Sequence, residues 1–133
     1  MAFEEALRDR LLAAPAVAAI VGENVSWFGR DRVGGLPELT LSHITPGEDW
    51  THDGPMALAE ARVQFDAWAT DADVALALKR AVKAEMQVAA DMSGWRFEPA
   101  SLEAEQSSDE GEQGGGDPLF RVRQDFLFFH EEI

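Results

Sequence analysis

Cysteine and tyrosine are both absent from the 133 residues. Without cysteine there is no disulfide, no thiolate metal site, no Fe–S cluster and no cysteine nucleophile. Bases are scarce: 11 Lys and Arg stand against 25 acidic residues, for a net charge of −14. The bases are also scattered, from Arg8 to Arg123. Affinity for nucleic acid comes largely from such side chains neutralising phosphates, so the charge argues against nucleic acid as a held ligand. Long apolar runs are missing too. The longest uncharged stretch, residues 11–22, has twelve residues and is broken by Pro15, against the ~20 apolar residues that a spanning helix needs. No membrane partner is expected. The opening Phe3-Glu4-Glu5 lacks the positive region of an export signal, which predicts a protein that stays where it is made.

What is present suits a globular chain. The hydrophobic fraction is 46% and the length fits one domain over 1–133. Phe3, Leu7 and Leu11 recur at helical spacing, with Arg8 and Arg10 read as facing away. Pro15 can open a second short helix that Gly22 closes. Val25–Phe28 suggests a short strand, and Glu38–Ile44 a first main strand. The clearest alternation is Ala59–Ala69, where Val63, Phe65 and Ala67 alternate with Arg62, Gln64, Asp66 and Trp68. Thr70 is placed to cap a helix over 71–90 in which Val74, Leu78, Val82 and Met86 recur every four residues. A third main strand, 95–105, is interrupted by Pro99, which suggests an edge or a bulge. Residues 106–117 hold no apolar side chain and are expected to form a flexible acidic, Gly-rich loop. Pro118–His130 is the fourth main strand. The order is α-α-β-β-α-β-β. It predicts an α+β fold with two main helices, 3–14 and 71–90, on one face of a mostly antiparallel four-stranded sheet.

Chemistry is sparse. His43, His52 and His130 are far apart in sequence, and the local cluster Asp49, His52 and Asp53 reads as turn residues. No serine lies in a nucleophile elbow, and the Gly114–Gly116 run lacks the Lys-Ser/Thr of a phosphate loop. No catalytic residue, metal ligand or cofactor site is assigned, and no enzyme is expected. The aromatic residues say more. Residues 126–129 are apolar on both strand faces, and Trp68 falls on the parity opposite to Phe65. Trp50, Trp68, Leu127 and Phe129 are therefore candidates for subunit or partner contact, where aromatics are enriched. The structural alternative is that the first helix covers them within one subunit.

The ordered series then becomes informative. It runs Pro-Ala-Val-Ala-Ala-Ile-Val-Gly (15–22), Leu-Pro-Glu-Leu-Thr-Leu (36–41), Asp-Gly-Pro (53–55), Ala-Arg-Val-Gln-Phe-Asp-Ala-Trp-Ala (61–69) and Leu-Phe-Arg-Val-Arg-Gln-Asp-Phe-Leu-Phe (119–128). It resembles the tail-completion, or tail terminator, family of long-tailed phages, prophages and gene transfer particles, from about Phe3 to Phe129. The resemblance implies a small α+β subunit that closes into a hexameric ring in the neck of the particle. Such a ring caps the tail tube and joins it to the head connector or stopper protein, with DNA only as passing cargo. It also implies synthesis in the bacterial cytoplasm and no catalytic residues. The acidic stretch around Asp109, Glu110, Glu112 and Asp117 is longer than the family pattern; it is a candidate mobile lumen or docking loop, with a functionally neutral hairpin extension as the equal alternative. A reading from another class is an acidic protein-binding module that mimics DNA and inhibits a nucleic-acid enzyme. The acidity itself is local: residues 97–117 carry seven acids and no base.

Overall fold

The computed structural model describes residues 2–29, 35–44, 59–113 and 117–133, with the side chains of 112 and 113 excepted. The chain begins with helix α1 (Phe3–Ala13), whose first turn holds Glu4 and Glu5 against the positive end of the helix dipole. Extended backbone at Ala14 ends it, and Pro15 opens α2 (Pro15–Val21) at the position where a missing N–H costs nothing. Gly22, at φ +62°, turns the chain out of α2. It leads into β1 (Val25–Trp27), which pairs in parallel with β2 (Glu38–His43).

Strand β2 pairs antiparallel with β3 (Ala59–Ala69), and β3 pairs antiparallel with β7 (Asp117–Glu132) along its whole length. Between them in sequence lie α3 (Ala72–Met86), a short hairpin of β4 (Ala90–Met92) and β5 (Trp95–Phe97), and β6 (Ser101–Gln113). The hairpin turns on Ser93 and Gly94, both at positive φ. The far edge of β7 is shared: β5 pairs with its end, and β6 with the remainder. The spatial order is β1-β2-β3-β7-β5-β4, with β6 also on β7.

The core lies between one sheet face and the helices. Val63, Phe65 and Ala67 of β3, and Phe126 and Phe128 of β7, meet Leu7 and Leu11 of α1 and Leu78, Val82 and Met86 of α3. Phe65 and Phe126, one strand apart and fully buried, pack edge to face at 5.2 Å. The buried parity of β3 and β7 is the one expected from alternation.

Several expectations need correction. The sheet is mostly antiparallel, as expected, but has seven strands where four were expected, and one pair, β1 with β2, is parallel. Of the three additional strands, β1 is the short strand expected at 25–28, and the strand expected over 95–105 is broken around Pro99 into β5 and β6; only β4, three residues long and too short to show a period, is new. Residues 106–113, expected as loop, are strand, because β7 supplies backbone partners that an apolar-periodicity reading cannot see. Residues 114–116 lie outside the described residues. Helix α3 stops at Met86, short of Ala90, and its cap is Asp71, whose carboxylate accepts from the Asp73 N–H at 2.8 Å, where Thr70 was expected. Arg10 does not face away. It is 2% exposed; its Nε donates to Glu85 Oε2 at 2.7 Å and its Nη2 to the Val88 carbonyl at 2.8 Å and the Glu85 carbonyl. Since α3 ends at Met86, these carbonyls belong to the unsatisfied end of a helix, and Arg10 caps it from α1. The guanidinium also lies 5.6 Å from the Phe97 ring centre.

Candidate functional site

All three helices contribute to the core on one side of the sheet, and among the described residues no helix packs on the other. Strand pleating decides what stands there. Registers place Thr40, Asp66 and Arg123 in one row, Ser42, Gln64 and Asp125 in the next, and Arg62, Leu127 and Ser101 in a third. Trp68, Arg121 and Ser108 form a further row.

The centre of this face is a polar network around Asp66, which is 4% exposed. Gln64 Nε2 donates to Asp66 Oδ2 at 2.7 Å, and Arg121 Nε to Oδ1 at 2.9 Å. That bond raises the Arg121 pKa above its ordinary value, with burial opposing it. Arg121 stacks over the Trp68 ring at 4.8 Å, and Trp68 Nε1 donates to Thr40 Oγ1 at 2.9 Å. A shallow groove of about 220 Å³ runs beside them, lined by Phe28, Ser42, Gln64, Trp68 and Arg121 among others. Further along, Arg62 Nε, Arg123 Nε and Asp125 Oδ1 are out of water and make no hydrogen bond among the described residues. Burial pushes the Asp125 carboxyl up, while Arg123 pulls it down and Asp66 pushes it up again. Among the described residues this face offers charged groups and an arginine stacked on a ring.

The candidate contact residues are thus partly assembled. Trp68 stands on the helix-free face, half-buried under Arg121. Leu127 and Phe129 share that face, and Phe129 is 37% exposed. Helix α1 does not cover them: its Phe3 ring meets Phe128 and His130, on the opposite side of β7. Trp50, and with it Asp49, His52 and Asp53, lies outside the described residues. Asp109 and Glu110 are exposed on β6, and Asp117 is exposed at the start of β7. Glu112 is in β6, with its side chain outside the described residues.

Two features were not found from sequence. One is an aromatic cluster at the α1 end of the core, which joins two histidines that are far apart in the chain. Phe3 stacks on His130 at 4.0 Å, and His43 stacks on Trp27 at 4.8 Å. His43 Nε2 lies 3.0 Å from Glu4 Oε2. Burial lowers the His130 pKa, Glu4 opposes that, and its buried Nδ1 has no hydrogen-bond partner among the described residues. The other is Phe28, 78% exposed and held at φ +74°, a conformation rare for a bulky side chain. The Gly29 that follows it was the only signal in the sequence. Among the described residues no three His, Asp or Glu side chains converge as metal ligands, and no helix is long and apolar enough to cross a membrane.

A family model described as "Tail completion protein gp17" matches residues 5–131. No functionally curated protein matches the chain. Among solved structures, a chain of the "Virion of native gene transfer agent (GTA) particle" superposes with a TM-score of 0.67 at 19% identity, covering 98% of this chain and 95% of that one. A second solved chain, 14% identical over 95% of this chain and 92% of its own, reaches a TM-score of 0.45 and carries no argument.

Proposed function

Since the chain belongs to the Tail completion protein gp17 family, we propose that it caps the tail tube of a phage or phage-derived particle and joins the tail to the head, assembling as a hexameric ring. The single observation that carries this reading is the family match over nearly the whole chain. The full-length likeness to a chain from a gene transfer agent virion supports it. The family is one of structural virion proteins, and the polar, helix-free face suits an assembly subunit better than an enzyme. In this reading the protein sits in the neck of the particle. Its partners are its own copies, the tail tube protein and the head–tail connector or stopper protein. DNA passes through as cargo.

Trp68, Leu127 and Phe129 are then subunit or partner contacts. The β6–β7 hairpin, with Asp109, Glu110, Glu112 and Asp117, is an acidic arm that either lines the lumen, where carboxylates repel DNA, or docks on a neighbour. Electron microscopy of particles lacking this protein tests the function. Overlong or headless tails are expected; normal, filled particles would sink the reading.

A further inference from the structure

Phe28 lies outside the core, and the ring assembly, on which this inference rests, gives its side chain a role. It is the most exposed large apolar side chain among the described residues, at 78%. Its φ of +74° is a region that bulky side chains rarely occupy. Two hydrogen bonds hold the turn: the Phe28 N–H donates to the Leu41 carbonyl at 2.7 Å, and the Ser26 hydroxyl to the Gly29 carbonyl at 2.9 Å. Its aromatic neighbours among the described residues, Trp27 and His43, are tilted at 6.0 and 6.3 Å and leave most of the phenyl group in water. Backbone strain that the surroundings enforce in this way collects where a protein clamps something.

A groove of about 310 Å³ lies between α3 and the β6–β7 hairpin. Ala72, Ala75 and Leu76 of α3, with Phe120 and Val122 of β7, make most of its lining apolar, and Ser107 of β6 also borders it. An apolar cavity of about 150 Å³ already holds a benzene molecule, so a phenyl group fits. The two alanines present only methyl groups, which leaves the room. The sheet sets knob and groove at opposite edges. Strand β1 is first and β6 last in rows of paired residues that cross five strands, such as Val25, Leu39, Ala67, Val122 and Ser107. Phe28 directly follows β1. Four strand spacings of about 4.8 Å each separate the two edges, so Phe28 cannot reach the groove of its own chain. Between copies the contact is head-to-tail, and head-to-tail contacts close into rings.

We propose that Phe28 of one copy inserts into the α3–β7 groove of the next copy. The occupant is a second copy, because knob and groove are both on this chain. Area then favours a closed ring over an isolated pair. A phenylalanine buries about 150–200 Å², whereas a standard interface buries about 800 Å² per partner. One such anchor is small for holding two chains together, but each subunit of a closed ring is held by it at both edges.

The test uses the full chain, alone and on tail tubes purified from particles lacking this protein, with mass read by native mass spectrometry. Phe28→Gly removes the knob at a backbone conformation that glycine adopts freely. Ala72→Trp fills the groove from an exposed position. Each variant is expected to lose the ring, with association weakened about thirtyfold or more, as for a buried aromatic anchor, and to melt within a few degrees of the wild type. Photo-reactive benzoylphenylalanine at position 28, in mixed isotope-labelled and unlabelled chains, is expected to link to residues 72–76 or 120–122 of another copy. If either variant assembles as the wild type does, the docking proposal is overturned and the ring stands. Links to position 28 of another copy, which mean a two-fold contact, or to the tube protein overturn it too. A Phe28→Gly protein that melts far below the wild type makes Phe28 a packing residue and also overturns it. If the wild type forms no ring in solution or on tubes, the ring reading itself fails, and this proposal with it. Should Ala72→Trp unfold, Ser108→Trp, exposed on β6, closes the same groove.

Discussion

Replacing Arg10 by methionine should cost about 3 kcal/mol of stability, because Arg10 closes the C-terminal end of α3 from inside the core. Methionine fills similar space, so the change removes hydrogen bonds and charge more than volume. Two carbonyl oxygens, of Glu85 and Val88, lose their donor. At roughly 1–1.5 kcal/mol each they account for most of the loss. The Glu85 carboxylate loses its partner as well, but its side chain is 24% exposed and can turn to water, so that part is worth about 1 kcal/mol or less. Burial of the methionine offsets a fraction, and the buried Nη1 of Arg10 has no partner among the described residues to lose. For a chain of this length 1 kcal/mol moves Tm by about 4 °C, so a fall of about 12 °C is expected. Urea unfolding of wild type, Arg10→Met, Glu85→Gln and the double variant separates the terms. The Arg10–Glu85 coupling should be about 1 kcal/mol, and the remainder of the Arg10→Met loss should persist in the Glu85→Gln background. An Arg10→Met protein within 3 °C of wild type would refute the view that this side chain holds α1 to α3.

Two further outcomes follow from packing and titration. Phe126→Ala should destabilise by about 3–5 kcal/mol, since Phe126 is fully buried and packs edge to face on Phe65; a denaturation midpoint close to wild type would mean that the sheet–helix core is loosely packed. For His130, burial holds the imidazole below its ordinary value of 6.5, so the unfolded chain takes up this proton first as pH falls. The contribution is therefore complete above about 6.5 and is lost as pH drops from there toward the folded value, with no further slope below it. Unfolding curves between pH 7.5 and pH 5 should show stability declining, and His130→Gln should flatten that decline; identical pH slopes would exclude the assignment.

Periodicity sufficed wherever a side chain's fate was set by its own element. The 59–69 alternation placed Val63 and Phe65 inward and Trp68 outward, and the four-residue recurrence in α3 placed Leu78, Val82 and Met86 in the core. It failed for Arg10, because a charged residue on a helix reads as solvent-facing until a helix end with unsatisfied carbonyls is brought beside it. It failed for 106–113 because a polar strand held by backbone hydrogen bonds to β7 carries no apolar signature. The histidines read as isolated because only the fold sets Phe3 against His130 and Trp27 against His43.

The sequence by itself determined the α+β class, the buried parity of the two long strands, the local concentration of acid in 97–117 and the likeness to the tail-completion family. Tertiary structure alone decided that residues 101–113 pair with β7 as a strand and that Asp66, Arg121 and Trp68 meet on the sheet face opposite the core. The reason is physical. Composition and period are properties of neighbours along the chain, whereas strand register and the side on which helices pack are fixed by partners tens of residues away.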